Sequence, residues 1–292
     1  MKILIPAHSG FCPGVKTAET EILKARVRAG DTPIYVYGEL IHNKRYIRHL
    51  EEQDIRTARD KNDIPAGAAA VIRTHGLDRN EEAELRGRFE VVDLTCVKVK
   101  KLQELIGKYA GDGYYTVIAG KKEHPEVRGL ISYAGECTVI EDVSEIAVFT
   151  DGIRDREDIS RILIVSQTTS PEELFRCVAE TIRANLPESF AVEAVNSICR
   201  VTTLREERSL ELQKRADITF VIGDEKSSNS RKLYEVLKQG SPAAYFIESL
   251  DGLKEIEAGG VELKSGMTAL VVSSSSTPRF VEDEVTEYLG NV

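Results

Sequence analysis

Short apolar runs recur along the chain, each closing on a turn rich in Gly, Ser, Thr or His and followed by a stretch with helical spacing. The runs predict strands at Lys2–Pro6, Ile34–Gly38, Ala70–Thr74, Val91–Thr95, Thr116–Gly120, Ile162–Ser166, Val192–Ser197, Ile218–Gly223, Ala244–Ile247 and Thr268–Ser273. Most are apolar throughout rather than alternating, the pattern of a strand covered on both faces in a parallel sheet flanked by helices. Between them, Leu102, Leu105, Ile106 and Tyr109 form one helical stripe, and Leu174, Val178 and Ile182 another. Regular alternation of strand and helix places the chain in the α/β class.

Length and charge narrow the reading. A chain of 292 residues suggests two or three domains. No apolar run approaches the about 18–20 residues that span a bilayer. The opening MKILIPAHSG is too short for a signal-peptide core and fits a first strand. A cytoplasmic protein is therefore expected. The net charge of −9 argues against a general nucleic-acid binder, whose footprint is basic. It leaves room for a local phosphate site, because helix N–H groups and histidines bind phosphate without a basic surface.

The cysteines split into two kinds. With five, no CxxC pair and no secretory N-terminus, neither a disulfide framework nor a zinc ribbon is expected. Cys177 lies in a helical pattern and Cys137 in a further strand candidate, ECTVIEDV, so both read as packing residues. Cys12, Cys96 and Cys199 each stand between a strand and a helix, 84 and 103 residues apart. That spacing suggests three α/β modules, each giving one cysteine, at 13–96, 97–196 and 197–292. Ligands collect outside the carboxyl ends of parallel strands. A thiol at a helix start there is readily a thiolate, the ligand that iron–sulfur clusters need. Three thiolates can hold a four-iron cluster and leave one iron open.

The other polar groups sit in the same turns. His42, His75 and His124 each follow a strand, whereas His8 and His49 lack that context. The turns SQTTS, KSSNS and SSSSTP each precede a helix. Singly they read as N-caps. Together with the three histidines they read as an anion cradle, with imidazolium groups supplying positive charge. Glu126 is either a first-turn helix glutamate or a proton donor whose acidity is weakened by nearby negative charge.

The pieces GFCPGVKTA, ELIHN, RTHG, DLTC, HPEV, SQTT, NSICRVT, KSSNS and SSTP occur in that order from residue 10 to residue 280. In this the chain resembles the 4-hydroxy-3-methylbut-2-enyl diphosphate reductase family over nearly its whole length. The resemblance implies three small α/β domains with parallel sheets in pseudo-threefold arrangement around a central [4Fe–4S] cluster, with residues 1–12 joined to the last of them. It implies Cys12, Cys96 and Cys199 as cluster ligands, with one iron not bound by cysteine. It assigns His42, His75, His124, Ser227, Ser228, Asn229 and Ser276 to the substrate's diphosphate. It gives proton delivery to Glu126 and the alcohol end of the substrate to Thr168. The implied reaction is reductive dehydroxylation to isopentenyl and dimethylallyl diphosphate, with reduced ferredoxin or flavodoxin as electron donor and no nucleic-acid or membrane partner.

The chain departs from the family pattern in places. Val97 stands where proline usually follows the second cysteine, Ser274 and Ser275 where glycine and alanine are usual, and Arg200 and Val201 follow the third cysteine. Ser274 matters if the backbone there needs positive φ or close approach to phosphate. Quinolinate synthase, a redox sensor and a zinc hydrolase are the alternatives. None of them accounts for HPEV, RTHG and KSSNS together.

Overall fold

The computed structural model describes residues 1–292. The chain opens with β1 (Lys2–Leu4), α1 (Pro13–Ala29), β2 (Ile34–Tyr37), α2 (Lys44–Glu51) and β3 (Ile55–Ala58). It continues with β4 (Ala69–Ile72), α3 (Arg79–Arg88), β5 (Glu90–Asp93), α4 (Val97–Gly111) and β6 (Tyr115–Ala119). Next come α5 (Pro125–Ile131), β7 (Cys137–Ile140), α6 (Glu145–Arg154), β8 (Arg161–Ser166), α7 (Glu172–Asn185) and β9 (Ala191–Ala194). The last stretch holds α8 (Arg200–Gln213), β10 (Ile218–Ile222), α9 (Ser228–Gly240), β11 (Ala244–Ile247), α10 (Leu250–Ala258), β12 (Thr268–Ser273) and α11 (Arg279–Gly290).

These strands form three four-stranded sheets, ordered β1-β12-β10-β11, β3-β2-β4-β5 and β7-β6-β8-β9. The strands pair in parallel, so the α/β class expected from the pattern is the class observed. Backbone contacts group the chain into two compact units, Met1–Asp63 with Arg200–Val292, and Ile64–Cys199.

The apolar runs are continuous because both faces of each central strand are covered. In β10, Phe220 and Ile222 pack with Leu253, Val281 and Val285, while Val221 between them packs with Leu233 and Leu237 of α9. In β8, Ile162 and Ile164 lie against α6 and α7, while Leu163 and Val165 lie against α4 and α5. Successive residues of a strand point to opposite faces, so a strand sandwiched by helices must be apolar at every position. The first strand, β1, pairs with β12, Lys2 opposite Thr268 and Leu4 opposite Leu270.

All ten expected strands form, with ends moved by up to three residues, as capping and fraying dictate. The run pattern missed β3, an edge strand in which only Ile55 and Ala58 are buried, and flagged β7 only through the surroundings of Cys137. An edge strand needs fewer apolar residues, so it leaves a weaker trace. Cys177 packs as expected against the core beneath α7, and its thiol also reaches Glu173 at 3.4 Å. His49 lies inside α2, its ring 5.7 Å from that of Phe280 and tilted by 48°.

Core burial predicts where substitutions act. Phe220→Ala, at a fully buried site, should cost about 3–5 kcal/mol. Val27→Ala, at an exposed one, should change stability by no more than about 0.5 kcal/mol. Urea unfolding midpoints of the two variants check the contrast.

Candidate active site

The chemistry-bearing residues lie in strand-to-helix turns. In the 64–199 unit, the ladder between β4 and β5 runs two residues past the strands. Leu94 N–H donates to the Ile72 carbonyl at 2.9 Å and Cys96 N–H to the Thr74 carbonyl at 3.0 Å. Cys96 is therefore laid beside the turn that carries His75, and it caps α4 with its side chain making no capping bond. The turn is built on Asp93, whose carboxylate accepts from the Thr95 N–H at 3.0 Å and the Thr95 hydroxyl at 2.5 Å. Lys100 joins Asp93 at 3.2 Å and Glu82 at 3.1 Å. Burial disfavours the charge on Asp93, but the Thr95 hydrogen bonds and the Lys100 ammonium outweigh it and hold the carboxyl below its ordinary range.

The turn after His75 requires glycine. Gly76 has φ of +73°, and a β-carbon there would meet the Gln103 amide at 2.8 Å. The rings of His75 and His124 meet edge to face, their centroids 5.4 Å apart. His124 is the N-cap of α5, and its Nδ1 accepts the Glu126 N–H at 3.1 Å. A nitrogen that accepts carries no proton, so this ring is a neutral imidazole with Nε2–H as its donor. The expectation of an imidazolium at this position gives way to a hydrogen-bond donor without charge.

Glu126 is buried, 2% exposed. Its two carboxyl oxygens accept from the Thr168 N–H at 2.6 Å and the Thr168 hydroxyl at 2.8 Å. Burial raises its pKa to about 7 against the opposing pull of the two Thr168 bonds. The cause within the protein is desolvation. The carbonyl of the same Thr168 accepts the Cys199 N–H at 2.7 Å. One residue thus links the carboxyl to the backbone of the third cysteine, which immediately precedes α8. Gln167, which the sequence reading passed over, is buried beside them and accepts from the Lys121 N–H at 3.1 Å.

In the other unit, Cys12 caps α1, again with no side-chain capping bond. His42 follows β2, and its Nδ1 lies 2.9 Å from the Glu39 carboxylate. Ser227 caps α9 by accepting from Ser230 N–H at 3.3 Å, and Ser276 donates to Ser227 at 3.0 Å. The turn after β12 thereby meets the start of α9. Ser228 and Asn229 occupy the first helical positions, and the Asn229 side-chain oxygen is buried with no donor on it. A helix start lined by hydroxyls that can donate suits a phosphate.

Ser274 and Thr277 were not assigned a role and belong to this cradle. Ser274 accepts from Ser230 at 2.8 Å and lies 3.1 Å from both Ser276 and Thr277. Its backbone does not need glycine: His8 and Asp54 are the non-glycine residues with positive φ. The serine has become part of the hydroxyl network instead. Val97 stands 61% exposed beside Cys96 at the start of α4. The five cysteines form no disulfide, and each is partly exposed. No three His, Cys, Asp or Glu side chains gather at the spacing of a single metal ion. Three cysteine thiols at or beside helix starts are the donor type that iron–sulfur clusters take.

A family model described as LytB protein matches residues 3–290. The 4-hydroxy-3-methylbut-2-enyl diphosphate reductase of Petrotoga mobilis is 33% identical, over 99% of this chain and 97% of its own length. That of Caldanaerobacter subterraneus subsp. tengcongensis is 34% identical, over 98% and 96%. A solved structure of (E)-4-hydroxy-3-methyl-but-2-enyl diphosphate reductase, the terminal enzyme of the non-mevalonate pathway, aligns with a TM-score of 0.74 at 29% identity. It covers 100% of this chain and 99% of its own. The Plasmodium falciparum reductase aligns over 98% and 87% with a TM-score of 0.84 at 23% identity and shares the fold.

The raised pKa of Glu126 has a thermodynamic signature. Its ordinary value is 4.5 and its folded value about 7, so between those pH values the folded state holds the proton more tightly. Its contribution to stability is full below pH 4.5 and is lost as pH rises through about 7, by up to about 3 kcal/mol. Unfolding free energies measured from pH 4.5 to 8 should show this fall in the native chain and lose it in Glu126→Gln. Gly223→Ala should also weaken the cradle, because the new methyl would lie 2.3 Å from the Ser230 hydroxyl. Calorimetry should show a loss of about 1–3 kcal/mol.

Proposed function

The chain belongs to the LytB protein family, and on that footing we propose that it reduces 4-hydroxy-3-methylbut-2-enyl diphosphate to isopentenyl and dimethylallyl diphosphate, the last step of the non-mevalonate pathway. The reaction removes one hydroxyl as water and consumes two electrons and two protons. Cys12, Cys96 and Cys199 are the residues that would hold a [4Fe–4S] cluster with one iron not bound by cysteine. Such a cluster supplies electrons one at a time and a Lewis-acidic position for the departing oxygen. Reduced ferredoxin or flavodoxin is the proposed donor and the cytoplasm the proposed compartment. No helix of the chain is long and apolar enough to cross a membrane. Three modules are proposed, 13–96, 97–196, and 197–292 with 1–12. The pairing of β1 with β12 supports the last of them.

The residues divide the work. Ser227, Ser228, Asn229 and Ser276 would take the diphosphate at the start of α9, with His42, His75 and His124 donating to its oxygens. The neutral His124 supplies a hydrogen bond through Nε2 without adding charge. Thr168 would donate to the substrate's hydroxyl. Glu126 would pass its proton through the Thr168 hydroxyl to the departing oxygen and then accept another from solvent. A carboxyl with a pKa about 7 keeps that proton near neutrality yet gives it up readily.

The observation that carries this reading is the seat of Glu126. A buried carboxyl bonded twice to Thr168, whose carbonyl receives the Cys199 amide, joins a proton reservoir to a cysteine turn. A redox sensor has no use for such a carboxyl, and metal analysis separates the reductase from a zinc hydrolase. Anaerobic protein should contain iron and sulfide and should turn over the allylic diphosphate with a viologen reductant. Glu126→Gln should lower turnover about 10²–10⁴-fold with the cluster spectrum unchanged. Full activity in that variant would remove Glu126 from the reaction. Stoichiometric zinc without sulfide would overturn the reductase reading altogether.

A further inference from the structure

The loop that delivers Cys12 to α1 is held by a group with no part in the steps above. Arg205 lies in α8 and is 2% exposed, so its guanidinium is inside the protein. Its Nε donates to the His8 carbonyl at 2.6 Å and its Nη2 to the Gly10 carbonyl at 2.6 Å. Both residues have left-handed backbone, with φ of +69° at His8 and +72° at Gly10. Glycine adopts that conformation freely, but histidine is strained in it and keeps it only where its surroundings insist. A planar guanidinium binding both carbonyls supplies that insistence, through charge-assisted bonds from one rigid fork.

The same loop is tied to the hydroxyl cradle. The Gly10 N–H donates to the Ser273 carbonyl at 3.0 Å, and the Ser273 N–H donates to the Ser9 hydroxyl oxygen at 2.8 Å. Ser9 also donates to Glu282. Ser273 leads straight into Ser274 and Ser276, and α8 itself packs on β12. Arg205, the 8–11 loop and the cradle turn therefore close a ring of contacts within one unit. The two carbonyls that Arg205 holds flank Ser9, one of the two residues that make the tie. Directly beyond the loop, Phe11 is buried and packs edge-on to Tyr46 at 5.2 Å, which fixes the approach to Cys12.

We infer that Arg205 is a positioning residue that locks the 8–11 loop, so that the Cys12 thiolate and the phosphate cradle keep one register. The inference rests on reading Cys12 as a cluster ligand and Ser276 as a phosphate contact. Its consequence is that losing Arg205 disturbs one cysteine of the three and the diphosphate site together, leaving the other two cysteines as they were. A general loss of stability would loosen all three alike.

The test compares wild type, Arg205→Lys, Arg205→Met and Ile182→Val, the last a core truncation under α7. In the cluster-free chain, iodoacetamide alkylation of each cysteine is followed by mass spectrometry. In the anaerobic holoenzyme, KM for the allylic diphosphate is separated from kcat. Arg205→Met should speed alkylation of Cys12 at least fivefold, with Cys96 and Cys199 within twofold of wild type. It should also raise KM at least tenfold. Arg205→Lys, with one point donor in place of a fork, should fall between, and it carries the comparison alone if the methionine variant does not fold. Ile182→Val should lower the melting temperature without singling out Cys12. Unchanged Cys12 alkylation, or a parallel rise at all three cysteines, overturns the inference. A wild-type protein that takes up no iron or sulfide overturns the ligand reading instead, while the alkylation pattern still decides whether Arg205 fixes the loop.

Discussion

A parallel strand cannot return to its neighbour through a tight turn; it must hand the chain to a crossover, and here the crossover is nearly always a helix. All strands of a sheet then end on one side, and each end faces the start of a helix. Those ends are the places where backbone N–H groups lack partners inside the helix. The three helix-start cysteines, the cap at His124 and the hydroxyls around Ser227 all occupy such ends. The chemistry sits where the topology leaves the backbone unsatisfied.

A chain of net charge −9 must bind an anionic group without a basic surface. On the proposed reading, hydroxyls bonded to one another at the start of α9 would do this at little electrostatic cost, because each can turn its hydrogen to a guest. The neutral ring of His124 follows the same economy. Glu126 shows a different device: burial keeps the proton on its carboxyl. Two polar sites in one protein are therefore tuned by different means, one by many weak donors and one by removal of water.

Much of this was legible in the sequence because apolar runs record burial on two faces. Ile162 to Ser166 and Ile218 to Ile222 are covered on both sides and were found as strands; Ile55 to Ala58, an edge strand, was not. Residues that act through their own turn, such as Cys96 after DLT or Ser227 before α9, leave local motifs. Residues that act across the chain leave none. Arg205 touches a loop 195 residues away, and Ser274 bonds a serine 44 residues away. The neutral state of His124 was likewise invisible, since it depends on which N–H the ring faces. Whether Ser274 suits a place where glycine is usual was not legible either; its hydroxyl joins the network.

The loop before Cys12 is built from opposite ends of the chain. Its carbonyls rest on Arg205 and its amides and hydroxyl on Ser273. During synthesis the first cysteine therefore leaves the ribosome long before anything exists to hold it. At about 5–20 residues per second, the wait for Ser273 is on the order of ten seconds to a minute. Through that time Cys12 is an unplaced thiol on a nascent chain, while Cys96 needs only the turn some twenty residues before it. The loop before Cys12 can take its final form only once Arg205 and Ser273 have been made.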